Sequence, residues 1–351
     1  MGLDTHGGLN LSEMRSLGID PASLIDFSVN VNPFGPSPRA LAALRAFDPA
    51  HYPDRGVLQL REALADVNGL ASDNVLVGNG TAELIWLVAH AFVLMDDPVL
   101  IVGSAFGEYE RAARAAGADV AEIRAAPPTF QLSADHLIAE IASRRPRLVF
   151  LCNPNNPTGL YFSDADVRRI AEACADGLLI LDEAYRSFVT LSPFGPPPTA
   201  NTIVLRSMTK DFALAGLRLG YALGESQLLQ AMRAFQPPWS VNGAAQAAGL
   251  AGLGDLDYLR HTLELTRQSA QALRIALSNL GARVLPAPTH FILIEVGDGA
   301  GWRRQLMAGA CLVRDCASFG LPLCVRVGAR RPEENQQLIQ AWAKLNSPQG
   351  D

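Results

Sequence analysis

The sequence predicts an α/β protein: a large domain built on a mostly parallel sheet with helices on both faces, plus a smaller α+β domain. Three observations predict it. Short apolar, β-rich runs alternate with helix-length segments between residues 75 and 205. Polar clusters fall at the ends of those runs, where open parallel sheets bind their ligands. After Gly224 the texture changes to a long helical stretch followed by separate strands.

In chain order, residues 75–77, 99–102, 148–151, 178–181 and 202–205 read as buried strands. Helices are expected over 82–93, 108–116 and 164–175. A long helical stretch spans roughly 243–280, strands follow at 291–296 and 323–327, and a terminal helix carries 338–344. The large domain is expected over 33–224. Residues 1–32 and 225–351 are expected to form the small domain, with an N-terminal segment covering the substrate. The proline-rich stretch 192–198 reads as a loop.

A chain of 351 residues, 49% hydrophobic, suits two lobes. The formal charge is −6 and no basic block occurs, which argues against nucleic acid as a partner. The longest apolar stretch, 84–95, contains His90 and is too short to span a bilayer. Residues 1–20 lack the apolar core of a secretory signal. The five cysteines form no CxxC pair and fall in apolar runs, so reduced thiols in a cytoplasmic protein are expected. Neither they nor the six histidines have metal-ligand spacing, so no metal is expected.

Lysine is scarce: Lys210 and Lys344 stand against 27 arginines. Arginine replaces lysine wherever charge alone is needed. It cannot replace a neutral amine that must attack a carbonyl, because guanidinium does not deprotonate. Arginine bias accounts for much of the imbalance. Lys210, placed among small polar groups after an apolar run, is the candidate imine-forming lysine.

Four clusters surround it in the sequence. Gly78-Asn79-Gly80-Thr81-Ala82-Glu83 links a strand to a helix and can cradle an anion with free N–H groups. Asn153-Pro154-Asn155-Asn156-Pro157-Thr158-Gly159 is a loop stiffened by two prolines, with asparagine amides at the sheet edge. Asp182-Glu183-Ala184-Tyr185 ends a buried strand. Asp182 is either a helix N-cap or the partner of a cation such as a protonated pyridine nitrogen. The Ser207 and Thr209 hydroxyls, with Arg218, can hold a phosphate dianion. A phosphate cup, an aspartate, an asparagine, a tyrosine and an amine together point to pyridoxal 5′-phosphate.

These motifs resemble the fold-type-I pyridoxal-phosphate enzymes, in the branch that holds histidinol-phosphate aminotransferases and L-threonine-O-3-phosphate decarboxylases. Residues 153–159 resemble that family's NPxNPTG loop, 182–185 its DEAY segment, 207–210 its SxSK segment with threonine in third place, and 215–218 its AGLR. The resemblance implies that Lys210 joins the cofactor covalently and that Asp182 pairs with its ring nitrogen. Tyr185 and Asn156 would bond the ring hydroxyl oxygen. Gly80, Thr81, Ala82, Ser207, Thr209 and Arg218 would bind the phosphate, and Phe106 would stack on the ring. Tyr52 would reach the neighbouring subunit's phosphate, which implies a homodimer with shared active sites. Arg326 would bind the substrate carboxylate, although Arg330 and Arg331 lie close by.

The shared core does not select a reaction. The opening does more: His6-Gly7-Gly8 followed by Asp26-Phe27-Ser28-Val29-Asn30-Val31-Asn32-Pro33-Phe34-Gly35 resembles the decarboxylases of cobalamin synthesis. On that resemblance His6, Gly7 and Asn32, with Asn156 and Arg326, would bind a small phosphorylated amino-acid substrate. The expected reaction is decarboxylation of L-threonine O-3-phosphate to (R)-1-aminopropan-2-ol phosphate. The alternative is a histidinol-phosphate-type aminotransferase. A departure is Leu9, which stands between Gly8 and Asn10. Cofactor-sensing regulators share the fold but carry a DNA-binding domain, for which no room is expected before Asp26. Borohydride reduction of the cofactor-loaded protein should fix the cofactor to Lys210, read by peptide mass mapping. A label on Lys344 alone, or none, would refute the lysine assignment.

Overall fold

The structure is a computed structural model that describes residues 7–125, 129–190 and 192–346. It divides into two compact units: one spans Gly35–Asn156 and Leu160–Leu263, the other Met1–Phe34, Pro157–Gly159 and Glu264–Asp351, each over its described residues.

The larger unit holds seven strands: β1 (Val75–Asn79), β2 (Pro98–Gly103), β3 (Asp119–Arg124), β4 (Leu148–Cys152), β5 (Leu178–Asp182), β6 (Thr202–Ser207) and β7 (Leu219–Leu223). Their order is β1-β7-β6-β5-β4-β2-β3. Strand β7 runs antiparallel to both neighbours, and the other pairings are parallel. Register sets Cys152 opposite Asp182, and Asp182 opposite Leu205. The carboxyl ends of the three central strands therefore lie side by side.

Every residue of β4, β5 and β6 is buried, as a sheet covered on both faces requires. Helices Gly80–Phe92, Glu108–Ala115, Ala134–Arg144 and Asp164–Ala173 make the connections between β1 and β5. Two begin at serine caps: the Ser133 hydroxyl accepts from the His136 N–H (3.2 Å), and Ser163 from Asp166 (3.1 Å). On one sheet face Phe150, Ile180 and Leu205 pack with Leu84, Val88 and Phe92 of the helix Gly80–Phe92. Leu229 and Met232 of the helix Ser226–Arg233 join the same cluster. Each such side chain contributes about 1.5–3 kcal/mol by leaving water.

The structure differs from the sequence expectation in several places. Strand β3 is an edge strand that mixes three charged residues with three apolar ones, so it shows no long apolar run. The expected long helix is two helices, Gly243–Leu253 and Leu256–Asn279, interrupted at Gly254. Residues 225–263 belong with the larger unit. The helix Gly243–Leu253 lies so close to the sheet that a Cβ on Gly249 would sit 2.5 Å from the Leu219 Cδ2.

The smaller unit holds a four-stranded antiparallel sheet in the order Arg314–Asp315, Cys324–Gly328, Phe291–Glu295, Arg283–Val284. Ile25–Asp26 pairs in parallel with Cys311–Leu312. Phe27, Ile292, Ile294, Val325, Val327, Leu338 and Trp342 form its core. Trp302 of the helix Gly299–Ala308 meets Trp342 of the helix Pro332–Asn346 with ring centroids 4.4 Å apart. The segment Pro157–Gly159 belongs here, and a Cβ on Gly159 would lie 2.4 Å from the Ala287 Cβ. Among the described residues no helix is long and apolar enough to cross a membrane.

Ile180, fully buried at the centre of β5, tests the core. Ile180→Ala should cost about 2–5 kcal/mol, seen as a lower denaturant midpoint with an unchanged slope.

Candidate active site

Asp182 closes β5 and is 4% exposed. Its Oδ2 accepts from the Tyr109 hydroxyl (2.6 Å) and its Oδ1 from the Ala184 N–H (2.9 Å). Burial pushes its carboxyl above the usual range, while these two donors and the nearby Lys210 charge pull it back. Asp182 and Lys210 are therefore within electrostatic reach of each other. On β4, the buried Cys152 thiol is pushed up by burial and donates to the Pro154 carbonyl (3.2 Å).

The loop after β4 is tied down by its asparagines. The Asn153 side chain donates to the Phe162 carbonyl (3.0 Å) and accepts from the Phe162 N–H (2.8 Å). Asn155 donates to the Ser104 carbonyl (2.8 Å), so it holds the loop. Asn156 and Tyr185 are both buried, and the Asn156 N–H bonds the Cys152 sulfur. Phe106 lies edge-on to Tyr109, with centroids 5.8 Å apart at 84°.

The anion cup forms where β1, β7 and β6 run together. Gly78 pairs with Gly220, and Gly220 with Ser207. A Cβ on Gly220 would lie 2.7 Å from the Thr81 nitrogen, so only glycine lets these backbones meet. Gly80 has φ +76°, and a Cβ there would lie 2.9 Å from an Arg218 guanidinium nitrogen. Arg218 thus lies against the start of the helix Gly80–Phe92, whose first N–H groups have no partner within the helix. The Ser207 and Thr209 hydroxyls touch at 2.6 Å. Glu83 turns back to accept from the Asn79 N–H (2.6 Å), which braces the turn. The expected cofactor fits this arrangement. Two glycine positions leave a cradle that any side chain would fill, a guanidinium, two hydroxyls and a helix start suit a phosphate, and a buried carboxylate suits a ring N–H⁺.

Other expected residues lie elsewhere. Tyr52 is 82% exposed and rests on Trp239, with centroids 4.9 Å apart. His6 lies outside the described residues. In the smaller unit, Gly8 donates its N–H to the Ser28 hydroxyl (2.7 Å), and a Cβ on Gly7 would sit 2.4 Å from the Ser28 carbonyl oxygen. The Asn32 side chain accepts from the Phe34 N–H (3.1 Å) and from the Thr266 hydroxyl (3.4 Å), and so holds a turn. Arg326 is buried, donates to the Ser28 carbonyl and lies over the Phe291 ring. Arg330 pairs with Glu334 (2.9 Å), and Arg331 donates to the Pro33 carbonyl (3.0 Å).

Two residues that the sequence reading missed stand out. Arg314 is the cross-strand neighbour of Arg326 and is also buried. Burial, then Arg326 and Arg303, lower its guanidinium pKa. It borders a cavity of about 480 Å³ with Gly7, Gly8, Ser28, Arg303 and Asp315. The sequence signal was an arginine in each of two consecutive short strands. Asp211, beside Lys210, is the other. Its carboxylate accepts from the Ser187 hydroxyl (2.7 Å) and the Phe212 N–H (2.9 Å).

With this geometry in place, comparison with known proteins is direct. The family model for class I and II aminotransferases matches residues 22–341. The chain belongs to that family. A histidinol-phosphate aminotransferase from Symbiobacterium thermophilum is 38% identical over 93% of this chain and 91% of its own. Histidinol-phosphate aminotransferase 2 of Pseudomonas aeruginosa is 35% identical over 94% and 91%. The crystal structure of the Sinorhizobium meliloti histidinol-phosphate aminotransferase, in complex with pyridoxal 5′-phosphate, matches with a TM-score of 0.85. It shares 26% identity and covers 95% of this chain and 93% of that one. The L-threonine-O-3-phosphate decarboxylase of Porphyromonas gingivalis matches with a TM-score of 0.79 at 26% identity, covering 91% and 98%.

These relatives overturn the expected decarboxylation, and with it the place in cobalamin synthesis. The described residues among those that suggested it also have structural duties. Gly7 permits close approach to Ser28, Gly8 takes a φ of +106° and donates to the Ser28 hydroxyl, and Asn32 holds a turn. Such duties do not depend on which bond of a substrate is broken.

Burial raises the Asp211 carboxyl to about 6, from an ordinary 3.8. Between those values the folded chain holds a proton that the unfolded chain has lost. Stability therefore falls as pH rises through that window. Asp211→Asn removes the titration. Its stability relative to wild type should rise by about 2 kcal/mol between pH 4 and pH 7, measured by denaturant unfolding at each pH.

Proposed function

We propose that this chain transfers the amino group of a phosphorylated substrate of the histidinol-phosphate type to a 2-oxo acid. The cofactor is pyridoxal 5′-phosphate. When bound, it supplies an aldehyde for the substrate amine and a ring that withdraws electrons from the carbon bearing it. The observation that supports a phosphorylated substrate is the buried cross-strand pair Arg314 and Arg326. Two guanidinium groups on neighbouring strands offer forked N–H donors that suit a dianion. The relatives named as histidinol-phosphate aminotransferases support that substrate class.

The chain's own residues then divide the work. Lys210 holds the cofactor through its amine and, once displaced by substrate, carries a proton on Nζ to and from the reacting carbon. Asp182 keeps the ring nitrogen protonated. Asn156 and Tyr185 hold the ring hydroxyl oxygen, and Phe106 covers one ring face. Gly80, Thr81, Ala82, Ser207, Thr209 and Arg218 anchor the phosphate, so the ring does not drift as the substrate exchanges. We place the exposed Tyr52 at a second copy's phosphate, in a homodimer with shared sites in the cytoplasm.

The test is amino transfer from L-histidinol phosphate to 2-oxoglutarate, read as glutamate formed. Arg314→Gln and Arg326→Gln should each raise the histidinol phosphate KM about tenfold or more with a smaller change in kcat. No glutamate formation, together with carbon dioxide release from a phosphorylated amino acid, would overturn the proposal.

A further inference from the structure

We propose that Tyr109 is a positioning residue for the cofactor ring: its hydroxyl keeps Asp182 ionised and aimed, and its ring supports Phe106 from behind. The inference deepens the function above and rests on Asp182 as the partner of the ring nitrogen.

Tyr109 lies in the helix Glu108–Ala115, three residues past Phe106. Its ring is 1% exposed and is fixed by two aromatic contacts. It stacks on Phe150 of β4 with centroids 5.1 Å apart at 12°, and Phe106 meets it edge-on. A ring clamped in this way leaves its hydroxyl little freedom, and that hydroxyl donates to Asp182 at 2.6 Å. One side chain thus joins the residue expected to cover the ring to the residue expected to hold its nitrogen.

The electrostatics explain why such a donor is needed. A carboxylate attracts a ring N–H⁺ only while ionised, and burial favours its neutral form. Groups from every side act on Asp182. The Tyr109 hydroxyl and the Ala184 N–H favour the anion, as does the charge of Lys210, while Glu183 opposes it. The Cys152 thiol on the adjoining strand stays protonated and is engaged with Pro154. Tyr109 itself is pushed well above its ordinary range by burial and by Asp182, so it remains a donor at any working pH. Tyr109 and Ala184 take one carboxylate oxygen each, and lone pairs remain for the ring nitrogen.

Tyr109→Phe removes the hydroxyl and keeps the ring stacked on Phe150. The full-length cofactor-free variant is titrated with pyridoxal 5′-phosphate across pH, with binding followed by protein fluorescence. The expected result is an affinity about ten- to a hundredfold weaker near neutral pH. The acid limb of binding should move about one unit toward higher pH, because Asp182 then takes a proton more readily. A role confined to packing would not move that limb. Asp182→Asn is run beside it. Weak binding by Asp182→Asn, with wild-type affinity and an unmoved acid limb in Tyr109→Phe, would overturn the inference alone. Wild-type binding by Asp182→Asn would overturn the Asp182 assignment and this inference with it.

Discussion

A carboxylate at the end of a fully buried strand is the constraint on which the larger unit turns. Asp182 sits where desolvation favours its neutral form, whereas the role proposed for it needs an anion facing a cation. The fold resolves the conflict locally. Strand β5 carries Asp182 to the sheet edge, the turn after it returns the Ala184 N–H, and the helix after β2 delivers the Tyr109 hydroxyl. Those donors favour the anion and oppose the effect of burial. The packing of Phe150 and Tyr109 is therefore part of the site's electrostatics as well as of the core.

The same sheet explains why the proposed phosphate cup needs glycine. Strand β7 runs antiparallel between two strands of the opposite direction, so the chain must enter it at the end where they leave. Arg218 makes that entry in the left-handed region with φ 58°, and Gly220 passes against the Gly80–Thr81 backbone. An arginine forced into that conformation costs backbone energy. It persists because the guanidinium then lies against the helix start. Strand topology, glycine placement and anion chemistry here are one solution to a single geometric problem.

Much of this was legible in the sequence because it is local. The strands at 148–151, 178–181 and 202–205 are short apolar runs, and the motifs that follow them are contiguous. Strand β3 was not legible, because an edge strand need not be apolar. Strand β7 was hidden behind the Ala215–Arg218 motif, and the break at Gly254 behind an otherwise helical pattern. The Tyr109–Asp182 bond joins residues 73 apart, and the Arg314–Arg326 pair appears only once two short strands are in register. The opening segment misled for a different reason. Gly7 passes close to the Ser28 backbone, Gly8 takes a positive φ and Asn32 holds a turn, features that serve the fold whichever reaction the chain performs.

The scarcity of lysine can now be read against what the arginines do. Arg206 is buried and grips Glu183 (2.8 Å), Asn68 and the Gly195 carbonyl; Arg186 makes a forked bond to Asp164 (2.7 and 3.0 Å); Arg303 does the same to Glu13 (2.5 and 2.6 Å). Each exploits a rigid planar fork that lysine lacks. A chain that assigns its structural cations to guanidinium has little use for an ammonium in its framework. Lys344 is exposed in the last turn of the terminal helix, where any cation suits the helix dipole. Lys210 is half-buried beside a carboxylate whose pKa it lowers, in the turn that links β6 to the phosphate cup. Guanidinium could supply that charge. The role proposed for Lys210 also asks it to give up a proton and attack a carbonyl, which no arginine in the chain could do.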